Sequence, residues 1–332
     1  MGTAKITITL ETTLTDPTIE AVHYCALPVH DRSAPALPTM HQVRPGHFQA
    51  SCSYPVDAYG SILAAPVREP LADDPRIRWQ QLQAAAVPLR VTPAIAQPMP
   101  GRLAGPAAPP RLGWTANGGA WQERVVGSTR VYYTAPAHPH LVVLLCDGQL
   151  WKATALPAAL TTLAARGYLP SVQVIAVDTS HNRAQNLAED DHYLAYLVHE
   201  LLPAMTQLAD KPVIVAGQSL GGLAALRMLA QHRDTITGAI ANSPSLWWPD
   251  RDGSPQLPHL LGQLDYRGAV IHFSAGLAER NLCSLVAQAQ RSCQQAGAVV
   301  TAEFTNTAHE IAAWEGALTR GLLRITKTMA RR

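Results

Sequence analysis

Val213-Ile214-Val215-Ala216-Gly217-Gln218-Ser219-Leu220-Gly221-Gly222 decides the fold. A β-branched apolar run ends in G-x-S-x-G, and Leu223-Ala224-Ala225-Leu226-Arg227-Met228-Leu229-Ala230 follows with helical composition. A buried strand, a tight turn and a helix are the context of a nucleophile elbow. The glycines let the backbone pass close to itself, and Ser219 is held in a strained turn with Oγ exposed. The amide of Leu220 then points to where a tetrahedral oxyanion would form. Outside that context the pentapeptide marks only a Gly-rich loop.

An elbow serine needs a base, and in α/β-hydrolases the partners follow in the order Ser, acid, His. Four of the thirteen histidines lie downstream of Ser219: His232, His259, His272 and His309. His232 falls in the helix after the elbow, His259 in a Pro-flanked polar stretch, and His272 inside the strand Ala269–Ser274. His309 follows the strand Val299–Phe304 and precedes a helix start, so it occupies a loop at a strand's carboxyl end and is the expected base. Glu279 is the first carboxylate beyond Ala269–Ser274. It is the expected acid, orienting the imidazole and stabilising its protonated form. Asp250 and Asp252 are weaker alternatives, and a Ser–His dyad without an acid stays open. The second oxyanion amide is expected after the apolar run Leu141–Leu145, in Cys146-Asp147-Gly148-Gln149-Leu150-Trp151. Gln149 is the first choice and Leu150 the second; an ordinary turn with an Asx contact by Asp147 is the plain alternative.

Outward from this core the chain divides by pattern. Residues 1–100 carry short alternating strands at Ile6–Leu10, Ala21–Leu27 and Phe48–Tyr54, as in a small β-sandwich-like domain. A Pro/Gly-rich linker spans 101–120. From 121 to 332 strands alternate with helices: Arg130–Thr134, Leu141–Leu145, Val172–Val177, Val213–Ala216, Gly238–Asn242, Ala269–Ser274 and Val299–Phe304. That is a doubly wound α/β-hydrolase sheet. A hydrophobic content of 47% supports a large core, and a net charge of +2 gives no basic face for nucleic acid. Five cysteines without a C-x-x-C pair read as reduced thiols of a cytoplasmic protein. Ile6-Thr7-Ile8-Thr9-Leu10 alternates as a strand, not as a signal segment, and no run is long enough to span a membrane.

Several motifs resemble the enterochelin (ferric enterobactin) esterases. They are Asp147-Gly148-Gln149-Leu150-Trp151, the elbow through Leu223, Ser243-Pro244-Ser245-Leu246-Trp247-Trp248-Pro249, Ala275-Gly276-Leu277-Ala278-Glu279, and His309 with Trp314 and Gly316. Arg183 and Glu200-Leu201-Leu202-Pro203 fit the same order. The resemblance runs from about residue 141 to the C-terminus and is weaker earlier, at Phe48 to Pro66 and around Trp79. It implies a serine esterase that opens the ester bonds of a ferric catecholate siderophore, with no cofactor and no bound metal of its own. It carries Ser219, Glu279 and His309 onto the roles that position assigns. Substrate contacts are expected from Arg183, Trp247, Trp248 and Trp314, the Arg183 guanidinium meeting catecholate oxygens and one of Trp247 and Trp248 a catechol ring; the plain alternatives are that Arg183 pairs with Asp178 or Asp190 and braces its loop, and that the Trp pair only packs. His181, His192, Asp190 and Asp191 have no metal-ligand spacing. The chain departs from the family pattern at Thr307-Ala308-His309-Glu310, where Gly-Gly-His-Asp is usual, and at Glu315, where a basic residue is usual. The segment after Arg183 reads Asn186-Leu187 in place of the family's Glu-Leu. A general carboxylesterase for small acyl or feruloyl-type esters is the alternative, and a non-catalytic binding module on the same fold a third.

Overall fold

The computed structural model describes residues 4–34, 36–66, 71–93, 101–114, 120–206, 211–249 and 261–331. The chain forms two compact units. One is Met1–Pro109 with Thr305–Ala313; the other is Pro110–Phe304 with Trp314–Arg332.

The first unit is built on seven strands: β1 (Lys5–Thr13), β2 (Val22–Ala26), β3 (Thr39–Arg44), β4 (His47–Pro55), β5 (Tyr59–Pro66), β6 (Arg90–Thr92) and β7 (Arg102–Ala104). They are hydrogen-bonded in the order β6-β1-β4-β3-β2-β5-β7. Alternation sets which face is buried. Phe48, Ala50, Cys52 and Tyr54 point inward from β4, and Ile8 and Leu10 point inward from β1. The antiparallel register pairs Ile8 with Cys52 and Leu10 with Ala50. Sequence pattern misses β3, β5, β6, β7 and the helix Pro75–Ala84. β6 and β7 have three residues each, too few for a period of two to register, and β3 buries one residue of six. β7 lies inside the stretch read as linker and pairs with β5, Leu103 opposite Gly60.

The second unit carries β8 (Gln122–Val126), β9 (Thr129–Tyr133), β10 (Leu141–Leu145), β11 (Val172–Val177), β12 (Val213–Gln218), β13 (Gly238–Asn242), β14 (Val270–Gly276) and β15 (Val299–Thr305). Their order is β15-β14-β13-β12-β10-β11-β9-β8. β11, β10, β12, β13 and β14 are parallel neighbours, and β9 and β8 add an antiparallel hairpin at one edge. Every residue of β10 through β14 is buried, as sheets covered on both faces require. The sequence reading locates all seven strands from β9 to β15; only the edge strand β8 is new. Chain order reverses between β10 and β12. A doubly wound sheet opens its binding crevice at such a switch point, beyond the carboxyl ends of the strands. The loops after β10 and β12 there are Asp147-Gly148-Gln149 and Ser219. Among the described residues, no helix is long and apolar enough to cross a membrane.

Candidate active site

Ser219 is the turn between β12 and the helix Leu220–Gln231, with φ 55° and ψ −123°. A non-glycine residue there is strained by on the order of 1–3 kcal/mol, which a packed surrounding must hold. The surrounding is visible. A Cβ on Gly217 would lie 2.3 Å from the backbone of Gly221, so the turn closes this tightly only with glycine. Ser219 N–H donates to Asn242 O at 3.0 Å, and Ser245 N–H donates to Ser219 O at 3.0 Å. The two hydroxyls, Ser219 Oγ and Ser245 Oγ, are hydrogen-bonded at 3.2 Å. Ser245 is 1% exposed, so its hydroxyl has a fixed place beside Ser219.

The loop after β10 is anchored by Asp147, which is wholly buried and left-handed at φ 63°. Its Oδ1 accepts from Arg183 Nε at 2.6 Å and from Thr179 Oγ1 at 2.6 Å; its Oδ2 accepts from Arg183 Nη2 at 2.7 Å and from Gln218 Nε2 at 2.9 Å. Gln218 directly precedes Ser219, and its Oε1 accepts from Trp151 Nε1 at 3.0 Å. Gln149 Oε1 accepts the Thr179 N–H at 3.0 Å. The motif residues Asp147, Gln149, Trp151, Arg183 and Gln218 are thus one polar network, tying the ends of β10, β11 and β12 together. Sequence reasoning saw these motifs separately, gave Asp147 only an Asx contact in its own turn, and gave Thr179, Gln218 and Ser245 no role. Hydrogen-bond partners so far apart in the chain leave no local pattern.

This geometry refines the oxyanion assignment. Leu150 N–H donates to Asp147 O at 2.8 Å, closing its own helical turn, so the second choice is engaged. The amides of Gln149 and Leu220, each in the first turn of a helix at the switch point, stay as the candidates.

Two expected substrate contacts change character. The Arg183 guanidinium grips Asp147 with two donors, and its side chain is 30% exposed; it braces the loop after β10. Trp314 is buried and donates its indole N–H to Ser243 Oγ at 3.1 Å, which holds the loop after β13. Trp247 and Trp248 separate. Trp247 is 56% exposed, whereas Trp248 packs against the core, their ring centroids 5.7 Å apart.

Glu279 stands in the loop after β14, half-buried, and its Oε2 accepts the Gly276 N–H at 2.9 Å. His309 is half-buried between β15 and the helix Ile311–Met329, in the segment Thr305–Ala313 of the first unit. Asp250, Asp252 and His259 lie outside the described residues. His272 is a core residue, its Nδ1 at 2.8 Å from Thr301 Oγ1. His232 ends the elbow helix beside His199, ring nitrogens 2.9 Å apart. Asp190 caps the helix that starts at Asp191, and Asp191 pairs with Arg227.

A profile of the Esterase family matches residues 128–325. The iron(III) enterobactin esterase of Escherichia coli O6:H1 is 29% identical over 245 residues, covering 66% of this chain and 61% of that protein. The iron(III) salmochelin esterase of the same organism is 28% identical over 211 residues, covering 56% of this chain and 50% of its own length. The chain therefore spans about three-fifths or less of these two relatives. The crystal structure of an enterobactin esterase from Shigella flexneri, obtained in the presence of enterobactin, superposes with a TM-score of 0.79 at 21% identity. The match covers 97% of this chain and 93% of that one.

Proposed function

The chain belongs to the Esterase family, and from that premise we propose that it is a serine esterase opening the ester bonds of a catecholate siderophore, acting in the cytoplasm to release iron. The observation that carries the reading is Ser219, held at positive φ on the carboxyl end of β12 beside the switch point. In this reading His309 takes the Oγ proton as Ser219 attacks the ester carbonyl. The amides of Leu220 and Gln149 hold the oxyanion, and Glu279 orients the imidazole. Collapse breaks the ester bond, and His309 returns the proton to the departing alcohol. Water, deprotonated by the same imidazole, then attacks the acyl-Ser219 ester and frees the acid. The relatives named as enterobactin and salmochelin esterases support the substrate class, as does an exposed Trp247 for stacking on a catechol ring.

One observation favours a second reading. Arg183 is engaged by Asp147, which weakens the case for a cation waiting for a trianionic ligand and favours a neutral carboxylic ester. Two measurements test both readings. A fluorophosphonate probe is expected to label Ser219, and Ser219→Ala to lose labelling and turnover while keeping its fold; near-parental turnover in Ser219→Ala would sink the elbow. Mass spectrometry of products from a ferric catecholate trilactone, beside turnover of a short p-nitrophenyl ester, decides between siderophore and general esterase. Turnover of the simple ester alone supports the second reading.

A further inference from the structure

The loop between β15 and the helix Ile311–Met329 is built into the sheet of the first unit. Asn306 O accepts the Tyr59 N–H at 3.1 Å, Asn306 forms a parallel bridge with Ala58, and Asn306 Nδ2 donates to Asp57 Oδ1 at 3.0 Å. Ala308 packs against the cluster of Cys25, Leu27 and Leu82. Glu310, the residue after His309, is 6% exposed, and its Oε1 accepts the Ser61 N–H of β5 at 2.9 Å. The Ser61 hydroxyl in turn accepts from Arg102 Nη1 at 3.2 Å. The preceding residue of β5 must be glycine for this seat to exist. A Cβ on Gly60 would lie 2.1 Å from Leu27 O and 3.0 Å from the Glu310 carboxylate. Burying a carboxylate is costly, and an apolar side chain would fill the same volume without that cost. Burial does push the Glu310 carboxyl above its ordinary range, against the hydrogen bonds from Ser61 and the fields of Arg102 and Arg32. A feature that costs stability and pins the backbone one peptide from the base has a use in placing that base.

We propose that Glu310 is a positioning residue for His309: the Glu310–Ser61 hydrogen bond seats the 305–310 loop in the first unit and sets the imidazole where ester hydrolysis needs it. The proposal rests on the reading of His309 as the base.

The test uses the full chain and a short p-nitrophenyl ester. Misplacing a catalytic group by about 1 Å can cost on the order of 10²-fold. Glu310→Ala is therefore expected to lower kcat about tenfold to hundredfold with KM changed less than about twofold. Glu310→Gln keeps an oxygen acceptor for Ser61 and is expected to recover kcat to within a few-fold. In a His309→Ala background, Glu310→Ala is expected to change the residual rate no further, because a residue acting through the base has nothing left to position. If Glu310→Ala does not fold, as judged by circular dichroism, Asn306→Ala replaces it with the same expected non-additivity. Unchanged kcat in the folded variant overturns the proposal, as does an equal loss with and without His309. Parental turnover in His309→Ala alone would instead overturn the base assignment, and the positioning role with it.

Discussion

Asp147 is the residue on which the site turns. Its carboxylate receives the Arg183 guanidinium, the Thr179 hydroxyl and the Gln218 amide, all from a wholly buried position. Removing one partner of a buried ion pair leaves the other charge uncompensated, which is worth about 3–5 kcal/mol. Asp147→Ala is expected to destabilise the protein by about 3 kcal/mol in urea unfolding, discounted for the partial exposure of Arg183. Its kcat should fall for every ester, because the loop presenting the Gln149 amide loses its anchor. Arg183→Ala separates bracing from recognition. As a brace, it lowers kcat/KM for a ferric catecholate and for a neutral ester in the same proportion. A rise in KM of about tenfold or more confined to the charged substrate would restore the recognition role.

The helix Ile311–Met329 is more than a cover for the sheet. Its first turns supply Trp314, which ties the loop after β13 through Ser243, and that loop places Ser245 beside Ser219. One residue on, Glu315 meets Arg111, the two side chains 7% and 11% exposed. The acidic residue at a position where the family resemblance leads one to expect a base is thus answered within the same unit. The Arg111 guanidinium also lies 5.1 Å over the Trp114 ring, so the pair anchors the start of the unit to this helix. Glu315→Ala is expected to cost about 3 kcal/mol by leaving a buried guanidinium uncompensated, and Glu315→Leu with Arg111→Met to recover most of it. Urea melts of the single and double variants check this; a double variant as unstable as the single one would show that the pair contributes more than mutual neutralisation.

At the scale of the whole molecule, acid stability follows from a buried histidine. His272 sits inside β14, and burial, reinforced by Arg324 and Arg320, lowers its pKa to about 3. The same arginines are held by Glu303, with Arg320 Nη2 at 2.7 Å and Arg324 Nη2 at 3.4 Å. The folded chain keeps His272 neutral, while the unfolded chain protonates it near pH 6.5. Below about pH 6.5 the unfolded state binds one more proton, so folding stability falls with pH, in total on the order of 4 kcal/mol by pH 3. Above that range this group contributes no slope. His272→Gln removes the titration and keeps a partner for Thr301. Between pH 6 and 4 its stability is expected to fall less steeply than the parent's, by about 1.4 kcal/mol per unit. Parallel curves from urea unfolding at several pH values would exclude the assignment.

The elbow, the order of the parallel strands' segments and the loop positions of Glu279 and His309 were all legible in the amino-acid order. They rest on period and turn chemistry, which contiguous residues encode: the run Val213–Ala216 reads as a buried strand, and Gly217 and Gly221 read as a close approach, wherever the chain goes next. The family resemblance rested on the same short stretches, and the family match and the doubly wound sheet agree with it. What tertiary structure alone decided is which polar groups meet. Arg183 finds Asp147 36 positions away, Gln218 finds it 71 away, Arg111 finds Glu315 across 204, and Ser61 receives Glu310 across 249. No local pattern specifies those pairs, because a side chain's propensity is blind to partners that only folding brings within 3 Å. So Arg183 and Trp314, expected as substrate contacts, are tied to Asp147 and Ser243 in the fold, and residues 305–313, read as the loop carrying His309 and the helix start after it, belong to the first unit.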